Sequence, residues 1–402
     1  MGRPEGGAGA GGAGGVSAGA GPARPGARAA VAIAALTLAG AAAIRAAGGT
    51  SAPPGRAGEV LGAPGRFGGP LRPAPIVSRG RRVESRPGGG HVLVDGVYRT
   101  SAAWAGGHPT PADPAWVAVQ VGPGPARLLV SWTSSGNHDW KDRRYGAPAD
   151  YRIETSADST DGADGTWRTE VAVTGNPART RAHAVPFAGR RWVRLSVTGL
   201  APDVFEHGLY LDEVDVHDLS GGGDDVWVFF GDSITSAVFD RAPAHQPDFR
   251  ESIARLHPGY GPAVVSAGFG SLHHADAPRL VEEVLALNPE ARVVALGFGS
   301  NDWDPAAYRA DLEAVVRKVR AAGRIPVVAR IPFRADAAVD FPARLNAVVD
   351  EVAARRGLPP GPDLYAWARA HPERLGDGLH PDDRGAVEVI RLWAEAAAPL
   401  YP

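Results

Sequence analysis

The spacing of apolar residues changes at the short segment Ser220–Gly223. Before it, from about Ile76 to Leu219, short runs with a period of two are bounded by Gly, Pro, Asn and Asp, a pattern typical of antiparallel strands. After it, nearly continuous apolar runs alternate with stretches of helical period, which is typical of an α/β fold with a parallel sheet. The sequence therefore predicts two domains, at residues 76–219 and 220–402, and its 402 residues allow each domain its own core.

The first 75 residues cannot build a core, because they are rich in Gly and Ala and contain seven Arg, two Glu and no Asp. Within them, the 16 uncharged residues Ala29–Ile44 follow Arg24 and Arg28, as the apolar region of a secretory signal follows its charged region. A membrane-spanning helix needs about 20 strongly apolar residues, so export with cleavage is favoured over a permanent anchor. We therefore expect a secreted or cell-surface protein in which residues 45–75 form a disordered Gly/Pro linker. An uncleaved anchor, which would add a membrane contact, and a disordered Ala/Gly tail are the alternatives.

Charge and cysteine content exclude several classes of partner and chemistry. The 42 basic and 44 acidic residues give a formal net charge of −2, which provides no field to attract nucleic acid or an anionic membrane. The absence of cysteine excludes disulfides, thiolate metal sites and a cysteine nucleophile. Any covalent catalysis must therefore use oxygen, nitrogen or a metal, and nothing in the sequence implies an obligate protein partner.

The first domain shows no convincing helical pattern. Its candidate strands are Arg127–Thr133, Tyr151–Thr155, Trp167–Val173, Arg191–Val197 and Leu209–Val216. The run from HVLVDGVYRTSAAW through PADYRIETSADSTDGADGTWRTEVAVTG to RRWVRLSVTGL and LYLDEVDVHDL resembles the galactose-binding-like, discoidin (factor 5/8 type C) modules. This resemblance implies an all-β jelly-roll sandwich that binds carbohydrate. Trp104, Trp140 and Tyr145 are the candidates to stack on sugar rings, and packing of these aromatic side chains in the core is the alternative.

Four apolar runs in the second domain predict strands that are buried on both faces of a parallel sheet. These runs are Val226–Phe230, Ala263–Ser266, Arg292–Leu296 and Ile325–Ile331. A helix capped by Asp304 is predicted to begin at Pro305, and the last helix is predicted to begin at Pro381. Ligands of such sheets bind at the carboxyl ends of the strands, so we expect the chemistry there.

Two strand-to-helix junctions supply a hydroxyl, an imidazole and a carboxylate. Ser233 lies in GDSIT, directly after the first of these strands, and DGLHP places Asp377 and His380 three residues apart before the last helix. A serine hydroxyl needs a base to take its proton, and that base needs an acceptor to fix its tautomer. The three residues therefore suit nucleophilic catalysis, with His380 as the base and Asp377 as its partner. Helix capping by Ser233 and His380 is the alternative interpretation.

The ends of the second and third strands supply candidate donors to an oxyanion. Gly268, in SAGFG, lets a backbone N–H approach a ligand because it has no Cβ, and Asn301, in GSND, offers a side-chain amide. With the N–H of Ser233 they would give three donors for the negative charge that develops in ester cleavage. Each motif alone is ordinary loop chemistry. Four of them in order, at four strand ends, favour a catalytic site.

The segments GDSIT, SAGFG, GSND and DGLH resemble blocks I, II, III and V of the SGNH (GDSL-type) hydrolase superfamily, over about Asp225 to Pro402. This resemblance implies a three-layer α/β domain with a flavodoxin-like parallel sheet. The catalytic residues that it implies are Ser233, Asp377 and His380, and the oxyanion donors are Ser233, Gly268 and Asn301. The chain departs from the family at Ser266, where block II often has Asn, so any bond that this Asn makes in the family is in doubt here.

Two clusters of polar residues raise the question of metal binding. The segment His273–Asp276 has no third strong ligand placed by its spacing, so a polar loop is favoured over a metal site. The segment Asp158–Asp164, with three Asp, is a candidate calcium loop, and a solvated acidic turn is favoured over it. We therefore expect no metal and no cofactor.

The combined expectation is a secreted serine esterase that hydrolyses carboxylic esters through an acyl-enzyme on Ser233. O-acetyl groups on a polysaccharide are the favoured substrate, because a sugar-binding module raises the effective concentration of the enzyme on a polymer. Lipid or other small esters are the alternative substrates. The alternative from another functional class is a cell-surface carbohydrate-binding or adhesion protein with a vestigial hydrolase domain. Against it, all the side chains that ester hydrolysis needs are present.

Overall fold

A computed structural model of the chain describes residues 69–98, 104–134, 146–202, 208–241 and 248–402. These residues belong to one unit, Gly62–Pro402. The predicted signal segment Ala29–Ile44 and most of the predicted linker lie outside the described residues. Within the described ranges, no helix has both the length and the apolar character needed to cross a membrane.

The part of the chain before Gly221 is rich in strands, as predicted. In the ranges that the structure describes, the strands are β1 (Val83–Arg86), β2 (Trp104–Gly107), β3 (Ala115–Gln120), β4 (Arg127–Thr133), β5 (Pro148–Ser156), β6 (Arg168–Val173), β7 (Thr180–Pro186), β8 (Trp192–Leu200), β9 (Leu209–Leu211) and β10 (Glu213–Asp218). They form antiparallel sheets in the orders β1-β3-β8-β5-β6, β10-β4-β7 and β2-β9. A short 3-10 helix, Gly90–Val94, lies between β1 and β2.

Side chains from the two larger sheets share one apolar core. Trp132 of β4 and Tyr151 of β5 are both buried, and their rings meet edge to face with centroids 5.4 Å apart. Alternation along each strand sends every second side chain into this core, which explains the period of two in the sequence. The predicted strand Leu209–Val216 is divided at Asp212, because β9 pairs with β2 whereas β10 pairs with β4.

The part from Val226 onward is an α/β domain with a parallel sheet, which confirms that prediction. Its described strands are β11 (Val226–Gly231), β12 (Ala263–Gly268), β13 (Val293–Gly297) and β14 (Ile325–Val328). Its described helices are α1 (Ser233–Arg241), α2 (Phe249–Leu256), α3 (Ala277–Leu287), α4 (Pro305–Ala321), α5 (Phe341–Arg356), α6 (Leu364–Ala370) and α7 (Asp383–Ala397). The strand order is β12-β11-β13-β14, so β11 has a parallel neighbour on each side.

Alternate residues of β11 face two apolar layers. Val228 and Phe230 belong to the core on one face of the sheet, together with side chains of α3, α4 and α5. Trp227 and Phe229 belong to the core on the other face, with side chains of α1, α2 and α7. Burial on both faces explains why these strands are apolar at nearly every position.

The starts of two helices test the predicted caps. Asp304 caps α4 as predicted, since its Oδ1 accepts from the Ala306 N–H at 2.9 Å. The last helix begins two residues later than predicted: α7 starts at Asp383, and the Asp382 side chain accepts from the Gly385 N–H at 2.7 Å. His380 is therefore not a helix cap.

The segment before β1 packs against the α/β domain. Leu71 is buried in the core with α1, α2 and α7, and its N–H donates to the Leu400 carbonyl at 2.8 Å. Ala74 is fully buried in the core on the opposite face of the sheet. The last residues of the segment predicted to be a linker are thus held on the α/β domain.

The edge strand β12 is covered by the β-rich domain. Thr180, the first residue of β7, donates from Oγ1 to the Ser266 carbonyl at 3.2 Å. The neighbouring Arg179 donates from Nη2 to the Ser266 Oγ at 3.2 Å, and both bonds are buried. The position where the family often has Asn is therefore used here for a contact between the α/β domain and the β-rich part of the chain.

Candidate active site

The turn that leads into Ser233 is shaped by glycine. Gly231 ends β11, and a Cβ at this position would lie 2.1 Å from Thr235 Oγ1 and 2.2 Å from the Gly297 carbonyl oxygen. Thr235 donates from Oγ1 to the same carbonyl at 3.1 Å. The absence of a side chain at Gly231 thus lets α1 begin directly against β13, with Ser233 as its first residue.

Asp232 joins this turn to the loop after β13. Its buried carboxylate accepts from the N–H of Ile234 at 3.0 Å and from the N–H of Ser300 at 3.2 Å. Burial raises the pKa of Asp232, and these hydrogen bonds only partly oppose that effect. Asp232 therefore holds the start of α1 and the loop after β13 together through hydrogen bonds.

The predicted relay is assembled. The Ser233 Oγ lies 2.8 Å from His380 Nε2, and His380 Nδ1 lies 2.7 Å from Asp377 Oδ2. The other oxygen of Asp377 accepts from the N–H groups of Leu379 (3.0 Å) and His380 (2.7 Å). Gly378 completes this turn with a positive φ of 83°, which favours glycine.

The Asp377 carboxylate is held in its charged form. Burial raises its pKa, but hydrogen bonds from the His380 backbone, the His380 ring and the Leu379 N–H outweigh burial and hold the pKa well below its usual range. The side chain is 60% exposed, so solvent screens its attraction for the imidazole. Its main effect is therefore geometric: an Nδ1–H donated to Asp377 leaves Nε2 as the acceptor that faces Ser233.

Asn301, the predicted side-chain oxyanion donor, lies in the loop after β13. Its side-chain Nδ2 donates to the Leu272 carbonyl at 3.1 Å, which ties this loop to the one after β12. An amide nitrogen carries two hydrogens, so this bond leaves a second one for a ligand.

Gly268 does not occupy the place that the sequence predicts for an oxyanion donor. The N–H of Phe269 donates to the Gly231 carbonyl at 2.9 Å, so odd-numbered residues of β12 direct their backbone groups towards β11. Alternation along the strand then points the Gly268 N–H away from β11 and Ser233. A Cβ at Gly268 would lie 2.4 Å from the Ser236 nitrogen, so glycine is required there for the close approach of α1.

Arg334 was not identified from the sequence, although its loop connects two other parts of the site. Its Nη1 donates to the Ser300 carbonyl at 2.9 Å, and its Nε donates to Asp336 Oδ1 at 2.8 Å. The N–H of Ala335 donates to the Gly378 carbonyl at 2.8 Å. The loop after β14 therefore joins the Asn301 loop to the turn that carries Asp377 and His380. Nothing in the local sequence of Arg334 indicates this role.

The candidate sugar-stacking residues of the β-rich domain have different outcomes. Trp104 is buried, and its Nε1 donates to the Pro87 carbonyl at 3.1 Å, so it is a core residue and cannot stack on a sugar. Trp140 and Tyr145 lie outside the described residues.

The side chains of the two candidate metal clusters make hydrogen bonds to neighbouring protein groups. His273 and His274 contact Asp302 and Asp311, with Nδ1-to-carboxylate distances of 3.2 and 2.6 Å. In the acidic turn Asp158–Asp164, carboxylates accept from hydroxyl and backbone N–H groups of the turn and of the flanking residues Ser156 and Thr166. Across the ranges that the structure describes, no group of three or more His, Asp or Glu side chains is arranged to hold a metal ion.

Comparison with solved structures gives similarities at low identity. Protein YXIM of Bacillus subtilis is 17% identical, covers 71% of this chain and 80% of its own, and has a TM-score of 0.39. An acetylxylan esterase from Geobacillus stearothermophilus is 19% identical over 42% of this chain and 93% of its own, with a TM-score of 0.35. Chitosan-binding module 1 of a Paenibacillus chitosanase/glucanase is 21% identical over 35% of this chain and 97% of its own, with a TM-score of 0.27.

Comparison by sequence identifies the class of the second domain. No curated protein matches the chain. Residues 229–387 match the model of the GDSL-like lipase/acylhydrolase family, and this range contains every member of the Ser233–His380–Asp377 relay. The α/β domain is therefore an SGNH-type ester hydrolase.

Proposed function

We propose that the protein is a secreted serine esterase that removes O-acetyl groups from a polysaccharide through an acyl-enzyme on Ser233. The observation that carries the proposal is the continuous relay from Ser233 Oγ to His380 Nε2 (2.8 Å) and from His380 Nδ1 to Asp377 (2.7 Å). A hydroxyl, a base and an orienting carboxylate in this order are what nucleophilic attack on an ester requires.

The reaction follows from these contacts. Ser233 Oγ attacks the ester carbonyl carbon while His380 Nε2 takes the hydroxyl proton, and the carbonyl oxygen becomes an oxyanion. The N–H of Ser233, at the first position of α1, and the free amide hydrogen of Asn301 donate to this oxyanion. When the tetrahedral intermediate collapses, the bond to the alcohol oxygen breaks and His380 returns the proton to that oxygen. Water then hydrolyses the acyl-enzyme by the same steps and releases the carboxylic acid.

The proposed substrate and location rest on the organisation of the chain. The β-rich domain, which we propose to be a galactose-binding-like jelly-roll module, is joined to the hydrolase domain by buried contacts at Ser266. A sugar-binding module fixed to an esterase raises the concentration of enzyme at a polymer. Secretion is proposed from the segment Ala29–Ile44, which has the arrangement of a signal sequence.

Replacement of the nucleophile tests the mechanism. We expect Ser233→Ala to abolish release of p-nitrophenol from p-nitrophenyl acetate and labelling by a fluorophosphonate probe, with an unchanged melting temperature, because the hydroxyl fills no core. Ser236→Ala, on the same helix but buried, is the control and should label like the wild type. Labelling and turnover by a folded Ser233→Ala variant would refute the mechanism. Acetate release from acetylated glycans, compared with hydrolysis of p-nitrophenyl esters of increasing chain length, then separates polysaccharide from lipid substrates.

A further inference from the structure

Trp303 is an exposed aromatic side chain next to the candidate oxyanion donor. Its exposed fraction is 71%, which is the largest among the exposed bulky apolar side chains of the described residues. It follows Asn301 by two residues, in the loop after β13, and β13 is paired with β11, the strand that leads to Ser233. Its ring therefore contributes nothing to the core and lies at the catalytic edge of the sheet.

The loop that carries Trp303 is anchored on both sides of it. The Asp302 carboxylate, 1% exposed, accepts from the His274 N–H at 3.1 Å and from His273 Nδ1 at 3.2 Å. Asp304 caps α4 through the Ala306 and Ala307 N–H groups. An exposed ring on a fixed backbone loses little freedom when a ligand binds, which favours affinity.

His273 lies beside the Trp303 ring and provides a polar group there. Its side chain is half exposed and meets Trp303 edge to face, with ring centroids 6.2 Å apart and an angle of 84°. When its Nδ1–H is donated to Asp302, the neutral imidazole offers Nε2 as an acceptor. The two rings belong to loops that follow β12 and β13, the two neighbours of β11, and they therefore form a corner beside the strand that presents Ser233.

We propose that Trp303 and His273 form the subsite for the alcohol part of the ester, and that this part is a pyranose ring. A pyranose has an apolar C–H face and a rim of hydroxyl groups. The face of Trp303 suits the first, and the Nε2 acceptor of His273 suits the second. An acyl chain would use only the apolar ring. This inference rests on the proposed deacetylation of a polysaccharide and assigns its substrate-binding residues in the hydrolase domain.

The test compares full-length Trp303→Ala, Trp303→Phe and wild type on partially acetylated xylo-oligosaccharides, p-nitrophenyl acetate and p-nitrophenyl octanoate. We expect Trp303→Ala to raise KM for the oligosaccharide by about 5- to 20-fold, with kcat changed less than about twofold. On p-nitrophenyl acetate, whose aromatic alcohol part can also contact Trp303 but has no rim of hydroxyl groups, KM should rise less than on the oligosaccharide, and Trp303→Phe should recover most of the loss on the oligosaccharide. Leu256→Ala is the control, because Leu256 is exposed at the end of α2, at the opposite edge of the sheet.

The possible results distinguish failure of the pyranose subsite from failure of the proposed deacetylase function. Equal KM values of wild type and Trp303→Ala on the oligosaccharide would overturn the subsite and leave the deacetylase proposal intact. A selective loss on p-nitrophenyl octanoate would assign Trp303 to the acyl chain and also overturn the subsite. If the wild type hydrolyses p-nitrophenyl acetate but no acetylated saccharide, the proposed function fails, and the pyranose subsite fails with it.

Discussion

The role of Asn301 depends on one hydrogen of its amide, since the other is donated to Leu272. If the amide meets negative charge only in the tetrahedral intermediate, Asn301→Ala should lower kcat by about 10² to 10³ and leave KM nearly unchanged. Steady-state kinetics on p-nitrophenyl acetate measure both constants. A raised KM with kcat retained would instead indicate ground-state binding, and a lower melting temperature with normal activity would indicate a role in holding the Leu272 loop.

Asp377 should matter for activity far more than for stability. Its side chain is largely exposed, so its contact with His380 contributes little to folding. In Asp377→Asn the remaining oxygen stays with the Leu379 and His380 N–H groups, and an NH2 donor replaces the oxygen that faces Nδ1. The imidazole tautomer is then wrong, and we expect kcat to fall by about 10⁴, with little change in melting temperature. Glu373→Gln is a matched control, because Glu373 contacts His371 at 3.4 Å outside the site. If Asp377→Asn and Glu373→Gln both changed kcat only slightly, Asp377 would have no catalytic role through His380.

The residues of the relay were predictable because each lies at the carboxyl end of a recognisable strand or before a recognisable helix. The direction of the Gly268 N–H could not be predicted from the sequence. Whether its N–H points towards or away from Ser233 depends on the parity of the β12 register, and a one-residue difference reverses the direction. Arg334 and Trp303 were not predicted, because Arg and Trp residues occur in many loops that have no functional site.

Elements were predictable where local pattern and tertiary context agree. The four parallel strands and the buried face of α4 follow from apolar runs and helical period. The break at Asp212 was not visible, because β9 and β10 continue the same alternation while they join different sheets. The start of α7 was misplaced because Pro381 and Asp382 both suit a helix N-terminus, and the choice is made by the bridge between Leu375 and Pro381.

Strand β11 is tied to the end of the chain by a buried carboxylate. Asp225 Oδ1 accepts from Trp227 Nε1 and from the Tyr401 hydroxyl, each at 3.0 Å. Burial raises the pKa of Asp225 to about 7, and these bonds only partly oppose it. Between about pH 4 and pH 7 the folded protein therefore keeps a proton that the unfolded chain loses.

This raised pKa predicts how stability depends on pH. The wild type should lose stability relative to Asp225→Asn by about 1.4 kcal/mol per pH unit as pH rises from about 4 to 7, and the difference should then level off. Urea unfolding at pH 4.5, 5.5, 6.5 and 8 measures it. Asp224→Asn controls for the loss of one negative charge. A difference between wild type and Asp225→Asn that stays constant over this range would contradict the proposed protonation of Asp225.

At the scale of the whole molecule, buried charges join the β-rich part of the chain to the α/β domain. Arg250 of α2 contacts Asp215 of β10 at 3.3 Å and Asp248 at 3.1 Å, and its guanidinium lies over the ring of Tyr98 at 3.8 Å. Burial raises the pKa of Asp215, but Arg79 and Arg250 outweigh it and lower the pKa to about 2. The ionised carboxylate of Asp215, in the β-rich part of the chain, is thus matched in part by Arg250 of the α/β domain.

Removal of this cation should destabilise the protein strongly. We expect Arg250→Met to lower the free energy of unfolding by about 3 to 5 kcal/mol, because it leaves buried negative charge incompletely paired. Arg255→Met, on the same helix, removes an exposed pair with Glu251 and should cost less than about 1 kcal/mol. Urea unfolding followed by tryptophan fluorescence compares the two. Equal effects would mean that the buried cluster does not join the domains energetically.

The contact of Thr180 and Arg179 with Ser266 has a consequence for how such a protein can be dissected. The even-numbered residues of β12 direct their backbone groups away from β11, towards the side that Thr180 covers. In a fragment that starts at Gly221, β12 would be an exposed edge strand. Other chains can add strands to such an edge by backbone hydrogen bonds. We expect such a fragment to self-associate at concentrations where the intact chain stays monodisperse, even if its relay is correctly formed. The β-rich part of the chain would then protect this edge of the hydrolase sheet from association with other chains.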